Sequence, residues 1–103
     1  MTLTTFSDRL ISVIDDLEPG GSLEAKVSQL AESEIRRRLA RYQLVDRRMR
    51  TKYGMSLKEF EEQGVVEKLG FTFEVESDHH DWDLAVDGIA TMTKRLKTWQ
   101  MVQ

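Results

Sequence analysis

Apolar positions recur at helical spacing in three stretches of the chain, and polar or turn-forming residues mark where each begins and ends. Phe6, Leu10, Val13, Ile14 and Leu17 fall at steps of one, three and four, which predicts a first helix with a single apolar stripe. The hydroxyl of Thr5 is expected to cap its first amides, with Asp8 at the third helical position in a variant of the capping box. Pro19-Gly20-Gly21 then breaks the helix, either turning the chain back or leaving a short arm. From Ser22 to Tyr53 neither proline nor glycine intervenes, and a continuous helix there would be about 48 Å long. Its apolar positions, Leu23, Val27, Leu30, Ile35, Leu39, Tyr42, Met49 and Tyr53, read as a coiled-coil seam with one phase shift between Leu30 and Ile35.

Gly54 ends that helix. Ser56 and Glu59 form a capping box for a short helix carrying Leu57 and Phe60, which Gly64 terminates. Residues 65 to 70 fit no single element. Phe71, Phe73 and Val75 alternate with Thr72, Glu74 and Glu76 as in a half-exposed strand. A lone strand is unstable, so it must pair with a copy of itself, join a partner's sheet, or be drawn into helix by its neighbours. The last helix is expected to open at Ser77 or Asp78, because Asp78, Asp81 and Asp83 would place negative charge in its first turn. Its inner stripe is predicted as Trp82, Val86, Ile89, Met92 or Thr93, Leu96 and Trp99. The architecture that follows is all-α: a long helical hairpin, coiled-coil-like, with one short extended segment allowed at 71–76 and completed by dimerisation. Residues 1–103 form a single helical domain, with residues 1–21 as an N-terminal helix and break and 22–103 as the core.

Composition narrows the functional classes. Hydrophobic residues make up 40% and charged residues 32%, which places the chain among folded proteins. No cysteine is present, so disulfides, thiolate metal sites and a cysteine nucleophile are excluded. No apolar run approaches the roughly 18 residues of a membrane span, and residues 1–10 lack the pattern of a secretory signal, so a cytoplasmic protein with no membrane partner is expected. Charge is unevenly spread. Residues 1–35 hold two basic and seven acidic groups, a net of −5, and residues 53–103 hold five and ten, again −5. Between them, residues 36–52 hold eight basic groups against Asp46 alone, a net of +7.

The motifs of nucleotide binding and of nucleophilic catalysis are missing from the sequence. His79 and Asp83, four residues apart, could offer two ligands to a divalent metal, but a structural site needs about four, so no metal or other cofactor is expected. Adjacent acids such as Asp15-Asp16 or Glu61-Glu62 point to different sides of a helix and do not suit paired acid–base work. Trp82 and Trp99 read as core or interface anchors. Arg36, Arg37, Arg38, Arg41, Arg47 and Arg48 could neutralise phosphates and make the long helix a nucleic-acid contact. They spread around the helix, however, and the flanking acidic blocks offer them internal partners.

Residues 42–99 resemble a family of short bacterial and archaeal helical proteins described as antitoxin-like. The resemblance rests on Tyr53-Gly54-Met55-Ser56-Leu57-Lys58-Glu59-Phe60, on Gly70 followed by Phe73-Glu74-Val75-Glu76-Ser77-Asp78, on Asp81-Trp82, and on Ala85-Val86-Asp87-Gly88-Ile89. It implies no catalytic residues and a role beside a toxin-like protein partner. The expected function is therefore non-enzymatic protein binding, with nucleic-acid binding through the arginine-rich helix as the alternative. The expected docking residues are Phe71, Phe73, Glu74, Val75, Glu76 and Asp78, an apolar strand edge with acidic neighbours that would steer a basic partner.

Overall fold

The computed structural model describes residues 5–102, with side chains to Gln100. The described residues form five helices and no strand: α1 (Asp8–Leu17), α2 (Leu23–Tyr53), α3 (Leu57–Glu62), α4 (Val65–Lys68) and α5 (Phe73–Val102). The fold is thus all-α. The chain divides into two compact units, residues 1–34 and 35–103, and the division falls within α2.

In the first unit, α1 begins later than Thr5 suggests. Ser7 is the N-cap, held in extended backbone, and its hydroxyl accepts from Leu10 N–H at 3.2 Å. Asp8 consequently stands at the first helical position, where its charge faces the helix dipole but cannot close a capping box. Gly20 and Gly21 both adopt φ of 85°, and Ser22 then caps α2 by accepting from Ala25 N–H at 3.1 Å. Lys26 Nζ donates to Asp15, tying α1 to the first turns of α2. Ile14 is the buried residue of α1, while Leu10, Val13 and Leu17 on the same stripe remain exposed.

In the second unit, α2 from Ile35 onward runs antiparallel to α5. The pairing is marked by Tyr42 against Gly88, Asp46 against Trp82 and Tyr53 against Asp78. Val75, Asp78, Trp82, Ala85, Ile89, Met92, Leu96 and Trp99 follow one another at steps of three and four, so the inner stripe of α5 passes through Ala85, which is buried, and not Val86, which is exposed. A methyl group at that position lets the helices approach.

The core sits at the end of the hairpin closed by α3 and α4. Leu57, Phe60, Val65, Val75 and Trp82 are buried there, with Met49, Tyr53, Met55 and Val66 packed against them. Phe60 meets Tyr53 edge-on at 4.9 Å and Trp82 at 5.2 Å between ring centroids. The Ser56–Glu59 capping box forms in both directions, at 3.2 and 3.1 Å, and aims Leu57 and Phe60 inward.

Of the alternatives open for 71–76, the extended segment is not formed, and the stretch from Phe73 onward is helix. Residues 65–68 are helical, and α4 closes in a Schellman motif in which Gly70 N–H bonds Glu67 O at 3.0 Å and Phe71 N–H bonds Val66 O at 3.0 Å. Thr72 caps α5, accepting from Val75 N–H at 3.2 Å, so α5 opens at Phe73 and not at Ser77 or Asp78. The physical reason is twofold: no second strand is present among the described residues to pair with 71–76, and helix places Val75 one heptad from Trp82, where both enter the core. The acids of the first turn are accordingly Glu74 and Glu76.

Candidate partner-docking site

The turn between α4 and α5 brings the most exposed aromatic residues of the described chain to one corner. Gly70 has φ of 73° and Phe71 has φ of 54°, so two successive residues lie in the left-handed region. Glycine tolerates this freely, but an L-residue there costs roughly 1–2 kcal/mol, and here the strained residue is an exposed aromatic. Phe71 is 58% exposed, Phe73 is 87% exposed, and Leu69 beside them is half exposed. Phe71 also forms one wall of an open cavity of about 270 Å³, whose other walls include Phe60, Val65, Val66, Glu61, Glu67 and His79. His79 Nε2 lies 3.5 Å from Glu61 Oε1 and its ring tilts against Phe60 at 5.6 Å. Apolar surface with an acidic rim is the result.

The residues expected to share this site separate in the structure. Phe71, Phe73 and Glu76 face solvent. Val75 does not, being 2% exposed within the core, and it cannot contact a partner while the chain is folded. Glu74 and Asp78 are engaged by Lys52, whose Nζ donates to Glu74 Oε1 and to Asp78 Oδ2, each at 2.6 Å. Tyr53 Oη donates to the same Asp78 oxygen at 2.5 Å. These bonds set the charge states. Burial of the Asp78 carboxyl, the largest single influence, pushes its pKa up, but the donors Lys52 and Tyr53 together outweigh it and the pKa is lowered. Bonding to Asp78 and then to Glu74 holds the Lys52 ammonium well above its ordinary range. Tyr53 is pushed up to about 12, by burial first and by its bond to Asp78 second. Glu59 is lowered by the backbone and side-chain bonds of Ser56.

The arginine-rich stretch is arranged differently. Arg36, Arg37 and Arg38 are exposed and each is engaged in interactions of its own. Arg47 is exposed, and Arg41 and Arg48, two turns apart, line an open groove of about 360 Å³ together with Asp81 and the mostly apolar Tyr42, Val45, Met49, Leu84 and Ala85. A mostly apolar lining suits a protein side chain better than a phosphate backbone. Asp46 of the same stretch faces the hairpin, accepting Trp82 Nε1–H at 2.9 Å and Arg50 Nε–H at 3.0 Å.

Among the described residues, no group of three or more histidines and carboxylates could hold a metal ion. No helix among them is long and apolar enough to cross a membrane. Comparison with family models, with curated proteins and with solved structures finds no match to the chain.

Phe71, Phe73 and Glu76 are among the expected docking residues and Leu69 is not, whereas Lys52, Tyr53 and Asp46, legible only as a basic residue, a seam residue and the one acid of a basic stretch, take their bonding roles from the fold. Gly70 flanked by Val66 and Phe71 carried the signal for the turn, since a Schellman motif pairs a C′ glycine with apolar residues at C3 and C″.

Proposed function

We propose that the protein is a non-catalytic, cytoplasmic binding module whose aromatic corner docks onto a basic protein partner and blocks that partner's own working surface. The observation that carries this reading is Phe71: an exposed aromatic ring on left-handed backbone, beside Phe73, is unfavourable for the isolated chain and becomes favourable when a partner buries both rings. Glu61 and Glu67, which line the cavity beside Phe71, and the exposed Glu76, three residues on from Phe73, favour positive charge opposite this surface. The resemblance of residues 42–99 to antitoxin-like proteins supports a toxin-like protein as that partner.

The test is affinity capture from the native cell with three baits: the parent chain, Phe73→Ser, and Arg41→Glu/Arg48→Glu. A basic protein held by the parent and by the arginine variant but lost with Phe73→Ser is the expected result. Loss with the arginine variant alone, or capture of DNA or RNA in place of protein, would move the function to the arginine-rich helix.

A further inference from the structure

The apolar stripe of α1 is only half used by its own chain. Ile14 is buried and Asp15 is bonded by Lys26, whereas Leu10, Val13 and Leu17 are 43%, 53% and 61% exposed. These three stand at i, i+3 and i+7 and fall within about 60° of arc, forming the narrow seam of a coiled coil. One flank of the seam carries Arg9 and Asp16, both exposed and of opposite charge. Being seven residues apart, they occupy the same heptad position. Residues at one flanking position face each other across an antiparallel pair, not a parallel one, so two copies of this helix are complementary when antiparallel. Leu10 then faces Leu17 of the other copy, the two Val13 side chains meet at the axis, and each Arg9 lies opposite an Asp16.

We propose that the outer edge of α1 is a self-association surface, on which a second copy of this chain docks its own α1 antiparallel about a two-fold axis near Val13. An isologous contact of this kind closes at two copies. Three seam residues per copy place it below the standard interface size, so the dimer is a weak one. The occupant is set by the charge pattern: a foreign helix would need the same Arg and Asp in reverse order, which a second copy supplies by symmetry.

Sedimentation equilibrium of the full chain, with helicity followed by circular dichroism, tests the proposal. Arg9→Asp and Asp16→Arg place like charges opposite one another in both pairs, and each variant alone should dissociate at least tenfold more readily than the parent with helicity unchanged. Mixing the two variants, or combining both changes in one chain, restores opposite charges and should restore the parent's association. Leu17→Ser should weaken association in every background. A parent that stays monomeric up to about 1 mM would overturn the proposal. So would a dimer indifferent to Arg9→Asp, Asp16→Arg and Leu17→Ser.

Discussion

Asp46 is the one acid in an otherwise basic stretch, and it occupies a seam position of α2, between Tyr42 and Met49 at steps of four and three. Its carboxylate satisfies the indole N–H of Trp82, a residue with no exposed surface. Asp78 does the converse from α5, accepting the hydroxyl of Tyr53 on α2. Each helix thus lends one carboxylate to an aromatic donor of the other, and sliding the hairpin by a turn would orphan both donors. Asp46→Ala should cost about 1–3 kcal/mol by leaving the indole N–H unpaired, and Trp82→Ala about 3–5 kcal/mol through the cavity it opens. His79→Ala with His80→Ala should stay within about 0.5 kcal/mol. Thermal melts separate the three. The same bonds give stability a pH dependence with a definite sign. Tyr53 has a folded pKa of about 12 against 10.0 for the free side chain, so its contribution is complete below pH 10 and lost as pH rises towards 12; Lys52, also raised, acts in the same direction. Asp78 and Glu59 are lowered, so their contributions are present above the ordinary carboxylate range near 4 and lost as pH falls through the lower folded values. Melting midpoints should therefore fall at both extremes. Asp78→Asn should blunt the alkaline fall.

At the scale of elements, what was legible in the sequence followed from local chemistry. The capping box at Ser56, the glycine stop at Gly54 and the uninterrupted run of α2 each depend on residues within a few positions of one another, and each forms where the spacing predicts. The start of α5 was not legible, because the alternation of Phe71, Phe73 and Val75 fits a strand as well as it fits a turn followed by a helix. What decides between them is distant: Trp82 and Phe60 supply the core that Val75 enters. The register of the hairpin was hidden for a similar reason, since Asp46 and Asp78 are polar and an apolar pattern passes over them. Gly88 was hidden too. A Cβ there would lie 2.5 Å from two carbons of the Tyr42 ring, so the glycine permits the ring to sit against α5. In an exposed helix Gly→Ala gains roughly 1 kcal/mol, but forcing the Tyr42 ring aside costs about 1–3 kcal/mol. Gly88→Ala should accordingly lower stability slightly, and a raised midpoint on chemical denaturation would show that the ring yields without cost.

For the whole molecule, each of the two units carries apolar surface that its own residues do not cover: Leu10, Val13 and Leu17 in the first, Leu69, Phe71 and Phe73 in the second. A chain that leaves phenylalanines at the surface while burying Trp82 and Phe60 completely has its core elsewhere, and the corner is free to serve recognition. Phe71 allows folding and binding to be separated, because glycine suits its left-handed backbone better while removing the ring. Relief of strain of about 1–2 kcal/mol opposes the loss of a half-buried ring of about the same size. Calorimetric titration of the captured basic partner against the parent and Phe71→Gly, with melts of both chains, is the most direct test. Binding through the corner requires a melting stability within about 1 kcal/mol of the parent, by the same opposition of strain and burial, and an affinity at least tenfold weaker; equal affinity for the two chains would contradict it.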